Sequence, residues 1–220
     1  MKAVRQIAAL VHKDLLAEFR EGHALFSVFL FALLLLLLFH FALSLEPALL
    51  RRISPGLFWL ALFFSSTLAL QHSFGREVED GQWEGLLLLK IDPKVLYCGK
   101  LLSHLIFITI LQALLVLPMI LLFDLSPNRS LAVVFFLGGL GISIVGTFYA
   151  SLTATLREGP LLLPLLLFPM MIPILLATVQ ATELALWGDL MGQKEAWLKL
   201  LVVFDTVFLL GSLLLAEQIS

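Results

Sequence analysis

The sequence predicts an all-α integral membrane protein with six transmembrane helices. Hydrophobic residues make up 60% of the 220 residues and charged residues only 14%, whereas soluble domains average roughly 45–50% and 25%. The apolar residues gather into six stretches close to the ~20 residues that a membrane-spanning helix needs. Polar residues concentrate between these stretches. We expect the whole chain, residues 1–220, to form a single transmembrane domain.

Residues 1–22 predict an amphipathic helix before the first span. Its apolar side chains recur on one face at helical spacing: Val4, Ile7, Ala8, Val11, Leu15 and Phe19. Helices of this type lie in the headgroup plane of a membrane. We therefore expect an N-terminal interfacial helix, with a short solvated extension as the alternative.

Six predicted spans follow. Their approximate limits are Ala24–Leu45, Gly56–Phe74, Leu101–Phe123, Ser130–Leu156, Leu161–Gln180 and Trp197–Ala216. Nine Lys and Arg residues lie in the N-terminal segment, in the connection between the second and third spans, and at Arg157, against five on the opposite side. Because cytoplasmic connections carry the excess of positive charge, both termini and that connection are predicted to be cytoplasmic.

That connection, Gly75–Lys100, is the longest polar interruption and holds nine of the 30 charged residues. Within it, Gln82–Leu89 predicts a short helix, entered through the turn-forming pair Asp80-Gly81. The stretch leaves through Asp92-Pro93, an N-cap followed by a proline at the first helical position. Three apolar residues share one side of the short helix: Trp83, Leu86 and Leu87. A helix held between two spans with an apolar side is suited to docking a soluble partner.

Three later features shape the remaining spans. The fourth span has small residues at every fourth position, which let a neighbouring helix approach closely: Gly139, Ser143, Thr147, Ser151 and Thr155. The fifth is expected to be kinked or broken, because prolines leave backbone carbonyls unpaired: Pro160, Pro164, Pro169 and Pro173. Residues Ala181–Ala196 predict a small external helix that contains Glu183, Trp187 and Asp189.

Asp205 is the candidate intramembrane polar site. It lies eight residues after Trp197, about 12 Å along a helix, where a charge costs roughly 2.5–3.5 kcal/mol. It should face the protein interior, be protonated or lie beside water. A role at a substrate or subunit interface and a locally hydrogen-bonded structural role both remain open. Gln112 is a candidate polar partner.

Histidines and motifs give catalysis or a resident cofactor little support. His12 and His23 lie near the N-terminal helix, and His72 and His104 flank the Gly75–Lys100 connection. Haem ligation needs an axial residue, and His40 is the only histidine expected in the outer half; an interface or packing role is its favoured interpretation. Cys98 is the single cysteine. The sequence holds no G-x-x-x-x-G-K-[ST] motif, so it is not expected to bind ATP through a P-loop. It also holds no His-Glu-x-x-His motif.

Several stretches together resemble the CcmB, or haem exporter protein B, family of ABC transporter permeases. They are Lys13–Arg20, Pro55–Leu70, Phe74–Leu89 and Leu140–Leu176. Within them the Trp59 context, the turn Glu79-Asp80-Gly81, the run Leu156–Gly159 and the pair Pro169/Pro173 occur in the expected order. The resemblance covers nearly the whole chain.

The resemblance implies a six-span permease of the ABC-2 type in the bacterial inner membrane. It would pair with a separate ABC ATPase subunit, in two copies, alongside cytochrome c maturation subunits and a haem chaperone. The family's coupling helix matches Glu79–Leu89, and the implied ATPase-docking residues are Glu79, Asp80, Gly81, Trp83, Glu84, Leu86 and Leu87. No family motif covers Asp205.

The resemblance thus predicts a non-enzymatic subunit that couples ATP hydrolysis on its partner to haem export or to release of a haem-loaded chaperone. No cofactor is expected on this chain alone, and haem would be cargo of the complex. A general ABC-2 exporter for a lipid, drug or polysaccharide is the alternative. A membrane-embedded enzyme or scaffold is disfavoured, because the intramembrane polar residues Asp205, His40 and Gln112 are scattered.

Overall fold

The computed structural model describes residues 2–20, 23–43, 46–79, 92–124, 128–156 and 162–216. All regular structure in these ranges is helical. The helices are α1 (Lys2–Arg20), α2 (His23–Ala42), α3 (Pro47–Glu79), α4 (Pro93–Phe123), α5 (Arg129–Leu156), α6 (Leu162–Trp187) and α7 (Gln193–Leu215). Six of them, α2 to α7, are long and apolar enough to cross a membrane. The predicted all-α membrane fold with six spans is confirmed.

Helices α3 and α5 form the centre of the bundle and are its most buried spans, while α2 and α7 lie at its edges. Trp59 of α3 is completely buried and donates from Nε1 to the hydroxyl of Thr182 on α6, 2.8 Å away. The small-residue face of α5 points inward as predicted, since Ser143, Thr147 and Ser151 are buried. Small side chains there allow the central helices to pack closely.

Successive spans run in opposite directions, which sorts their ends between two sides of the bundle. We call the side that carries α1, the end of α3 and the start of α4 the loop side, because residues 80–91 connect there. The far side carries the ends of α2, α4 and α6 and the starts of α3, α5 and α7.

The two ends of the predicted connection Gly75–Lys100 are helical, which corrects its limits. Helix α3 continues through Glu79, and α4 already begins at Pro93. At 33 residues, α3 is roughly 50 Å long, so it projects beyond a hydrocarbon core of ~30 Å. The predicted cap of α4 is confirmed: the Asp92 carboxylate accepts a hydrogen bond from the backbone N–H of Lys94 at 2.9 Å.

The separate external helix predicted for Ala181–Ala196 is wrong. Helix α6 continues through Glu183 to Trp187, and after a short turn α7 begins at Gln193. Asp189 lies in that turn and accepts from the backbone N–H groups of Gln193 and Lys194, both at 2.8 Å. These two bonds satisfy N–H groups that a helix start otherwise leaves free, so the turn needs no helix of its own.

Prolines do not break α6. The helix runs without interruption through Pro164, Pro169 and Pro173, while Pro160 lies outside the described residues. Transmembrane helices tolerate such prolines, because neighbouring groups and local adjustments of the helix can satisfy the freed backbone carbonyls.

Candidate functional site

Four charged side chains from three helices meet on the loop side. We call Lys13 and Asp14 of α1, Glu77 of α3 and Lys100 of α4 the charge cluster. Glu77 Oε1 lies 2.5 Å from both Lys13 Nζ and Lys100 Nζ. Each lysine also lies 3.2 Å from the Asp14 carboxylate. The cluster therefore ties α1 to the two helix ends that flank residues 80–91.

Burial makes the pairing in this cluster necessary. The side chains of Glu77 and Lys100 are each 4% exposed, and Asp14 is 10% exposed. Lys100 also lies over the Phe74 ring, 5.3 Å from its centroid, a favourable position for a cation. Burial of Lys13 lowers its pKa, because it disfavours the charged form. The hydrogen bond and negative charge of Glu77, with those of Asp14, have the larger combined effect, so the Lys13 pKa is raised above its ordinary value. Two positive and two negative groups thus neutralise one another.

Helix α1 packs closely against α4 at Gly99. A Cβ on Gly99 would come within 2.9 Å of Leu10 Cδ1, so only glycine admits the buried Leu10 without a shift. The predicted apolar face of α1 is only partly turned inward: Ile7, Val11 and Leu15 are partly buried, whereas Val4 is 70% exposed. The helix is confirmed, but its inner face carries Leu10 and the charged residues that join the cluster.

A small cavity with several polar and charged side chains in its wall adjoins the charge cluster. It has a volume of about 30 Å³ and is lined by Asp14, Glu18, Lys100 and His104, among others. The buried His104 ring lies 2.9 Å from the Ser66 hydroxyl, which joins α3 and α4 one turn deeper than Lys100. A polar cavity of this size has room for a water molecule, so the cluster and its cavity form a polar layer between α1 and the apolar core.

Most of the predicted docking residues lie outside the described residues. Glu79 is the last residue of α3, and residues 80–91, with Asp80, Gly81, Trp83, Glu84, Leu86 and Leu87, are not described. Their role therefore stays a prediction. What the structure does describe is their attachment: Glu77 lies three residues before this segment, and the Asp92 cap follows it directly.

Asp205 of α7 faces the interior of the bundle. Asp205 is only 4% exposed, and neither of its carboxylate oxygens has a hydrogen-bond partner among the described residues. A Cβ on Gly141 of α5 would lie 2.6 Å from Asp205 Oδ1, and the same position is bordered by Ile174 of α6. Gln112 is not its partner, which corrects that expectation, because Gln112 Nε2 donates to the Phe135 carbonyl at 3.2 Å.

His40 packs against aromatic rings at the far side. Its ring meets Phe41 and Phe123 edge to face, at centroid distances of 5.6 and 5.9 Å. The contacts are those of a packing histidine, the interpretation that the sequence favoured. Within the described ranges no three His, Cys, Asp or Glu side chains come together in a way that could hold a metal ion.

Sequence reasoning missed the charge cluster and the close packing of α1 on Gly99. Lys13 is 64 residues from Glu77, and Asp14 is 86 residues from Lys100, so no local spacing links them. The available signal was chemical: Glu77 lies near the end of α3 and Lys100 two turns into α4, both next to apolar stretches, where a buried charge needs a partner of opposite sign.

Six span-length helices, with buried ion pairs gathered at one end of the bundle, define a multi-pass, all-α membrane protein. The chain belongs to the CcmB family: the family model described as CcmB protein matches residues 5–217. The match spans α1 and every membrane helix, so it covers the charge cluster, residues 80–91 and Asp205.

Relatives from three bacteria carry the name Heme exporter protein B. The protein of Pseudomonas aeruginosa is 32% identical over 183 residues, 82% of each chain. That of Bradyrhizobium diazoefficiens is 29% identical over 187 residues, 84% of each chain. The Escherichia coli protein is 31% identical over 189 residues, 78% of this chain and 79% of its own.

Proposed function

We propose that this chain is the membrane-spanning subunit of a haem-exporting ABC transporter that serves cytochrome c maturation. The observation that carries the proposal is the CcmB family match over residues 5–217. Relatives named Heme exporter protein B align over about four fifths of the chain. The general exporter for a lipid, drug or polysaccharide is not favoured by these names.

In this proposal ATP hydrolysis resides on a separate ABC ATPase. The sequence has no P-loop motif of its own, and residues 80–91 would be the element that docks on the ATPase. Two copies of the chain would form the membrane pathway in the bacterial inner membrane, with the loop side and both termini in the cytoplasm. The other maturation subunits and a haem chaperone would complete the complex, with haem as cargo.

The charge cluster supports a mechanical role for residues 80–91. A force on this segment would pass through the backbone into the end of α3 and the start of α4, where Glu77 and Lys100 are paired with α1. Because buried ion pairs are costly to break, α1 and the two helix ends would move as one body. Movement of the ATPase would thereby shift α3 and α4 against the rest of the bundle. The conformational work could export haem or release a haem-loaded chaperone.

The test is complementation of a host strain that lacks its own copy of this gene. The wild-type chain should restore haem attachment to c-type cytochromes. The double substitution Trp83→Glu/Leu87→Glu should abolish restoration and ATPase binding while membrane insertion continues. A matched control, Leu190→Glu/Met191→Glu, places the same charges on the exposed far-side turn and should retain activity.

Failure of the wild-type chain to restore cytochrome c, with the protein intact in the membrane, would contradict the haem proposal. Restoration by the Trp83→Glu/Leu87→Glu variant with normal ATPase binding would instead contradict the docking assignment.

A further inference from the structure

An apolar cavity of about 240 Å³ opens between α3, α4, α5 and α6 in the far-side half of the bundle. We call it the far-side cavity. Its walls include Phe58, Met119, Leu131, Phe135 and Leu186. For comparison, an engineered apolar cavity of about 150 Å³ stays dry and binds benzene. The far-side cavity is therefore large enough for a hydrocarbon segment and unsuited to water.

The two polar residues that line this cavity already have their hydrogen bonds inside the protein. Thr182 accepts from Trp59 Nε1 at 2.8 Å and donates to the Thr178 carbonyl at 2.6 Å. Asn128 donates to the Ala185 carbonyl, and its Oδ1 accepts from Ser130. An occupant consequently meets apolar walls, which excludes recognition of a polar ligand and favours a plain hydrocarbon chain.

The cavity extends from the far-side helix ends, where Asn128 and Leu186 line it, toward the middle of the bundle, and it opens to the outer surface of α5. Phe135 is six residues into α5 and Thr182 five residues before the end of α6, roughly 8–9 Å inward from the far-side helix ends. Ala132 lines the cavity and is also exposed. Its neighbours Val133 and Phe136 are 51% and 58% exposed on the outer surface of the same helix. Arg129, exposed at the start of α5, adds a positive charge of the sign that a phosphate attracts.

We propose that the far-side cavity binds one acyl chain of a membrane phospholipid, which enters beside Ala132. The acyl chain fills the space between α3, α4, α5 and α6 and supplies the van der Waals contacts that the cavity walls lack. This site is independent of haem transport. It stands on the lining, the satisfied polar atoms and the continuity with the lipid-facing surface.

Trp59 is a built-in reporter for this proposal. It is fully buried, its ring lies 5.7 Å from that of Phe58 and 5.8 Å from that of Phe135, and its indole N–H bonds Thr182. Phe58, Phe135 and Thr182 all line the cavity. The other tryptophans, Trp83, Trp187 and Trp197, are replaced by phenylalanine so that the full chain emits from Trp59 alone.

The experiment reconstitutes this single-tryptophan protein into vesicles of phosphatidylcholine with brominated acyl chains and compares its fluorescence with that in unbrominated vesicles. Because bromine quenches indole only at short range, an acyl chain in the cavity next to Phe58 and Phe135 should lower Trp59 emission by about twofold. Ala132→Phe should restore most of the emission by filling the cavity, and Ala132→Leu should restore part of it. The control Val133→Phe places the same phenyl ring outside the cavity and should be quenched like the parent.

Absence of quenching in the parent protein would overturn the proposal, including the case in which a second copy of the chain fills the cavity. Equal quenching of the parent and both Ala132 variants would overturn it as well, because bromine would then reach Trp59 by another route. Retained thermal unfolding transitions establish that the variants are folded.

Discussion

The charge cluster and Asp205 show two ways in which one membrane protein holds buried charge. In the cluster, two lysines and two carboxylates from three helices pair at distances of 2.5–3.2 Å. Asp205 is as deeply buried as Glu77, yet its oxygens have no hydrogen-bond partner among the described residues. Paired burial stabilises the arrangement that makes the pairs. Unpaired burial in a span costs free energy, and groups of this kind are generally retained for function.

We infer that the charges of the cluster hold three helices together, and we propose that Asp205 is kept for activity. Substitutions in the cluster should lower stability, since each leaves a buried partner of uncompensated charge. Substitution of Asp205 removes an unpaired group, so it should leave stability intact and affect activity alone. The following variants test each side of that separation, beginning with the largest expected loss of stability.

The largest loss is expected for Glu77→Gln. The change removes the carboxylate that both Lys13 and Lys100 approach at 2.5 Å and should lower the free energy of unfolding by about 3–5 kcal/mol. Thermal unfolding in detergent measures it. Glu195→Gln is the matched control, because its pair with Lys199 is exposed and should leave the midpoint unchanged. Equal midpoints for the two variants would mean that the cluster does not hold α1.

A smaller loss is expected for Gly141→Leu. A Cβ at this position would meet Asp205 Oδ1 at 2.6 Å and Ile174 Cδ1 at 3.2 Å, and overpacking of this kind costs about 1–3 kcal/mol. Gly211→Leu on α7 is the control, since a Cβ there meets nothing within 4 Å. Asp205→Ala should recover part of the loss in the Gly141→Leu background. Additive effects of the two substitutions would contradict the proposed contact between Asp205 and a side chain at position 141.

Asp205→Leu should leave the unfolding midpoint at or above that of the wild type, because an unpaired buried carboxyl is replaced by an apolar side chain. Complex assembly should also be retained. We propose that Asp205 acts through a polar contact formed during turnover, so this variant should lose cytochrome c maturation. Full maturation with normal assembly would remove Asp205 from the functional site.

The smallest effect is expected at Asp189, an exposed carboxylate satisfied by backbone groups. Hydrogen bonds from the N–H groups of Lys194 and Gln193 lower its pKa. A depressed pKa in the folded state means that the stabilisation is present above the ordinary value of about 3.9 and is lost as pH falls through the folded pKa. The midpoint of Asp189→Asn should lie slightly below that of the wild type near neutral pH, and the two should converge in acid. A difference that persists at the acid end would contradict the stabilisation assigned to the Asp189 hydrogen bonds.

The spans could be read from the sequence because their length is set by the membrane and their composition by lipid. The Asp92-Pro93 start of α4 was equally legible, since a cap is a local interaction. Helix ends outside the membrane were not: α3 continues through Glu79 because Glu77 finds its partners on α1 and α4. Glu183 and Trp187 suggested a separate external helix, yet α6 extends through both.

Asp205 was identified by its chemistry alone, and its inward position agrees with what burial of a charge requires. Its neighbour Gly141 could not be assigned from sequence, because the contact joins α5 to α7 across 64 residues. The far-side cavity arises from four helices together and has no counterpart in any single stretch of the chain.

The most direct test of the account is mass spectrometry of the proteins that co-purify with the tagged chain in mild detergent. The account predicts an ABC ATPase together with cytochrome c maturation subunits. An ATPase without those companions would contradict the haem assignment and favour a general exporter. Recovery of the intact chain without any ATPase would contradict the role assigned to residues 80–91.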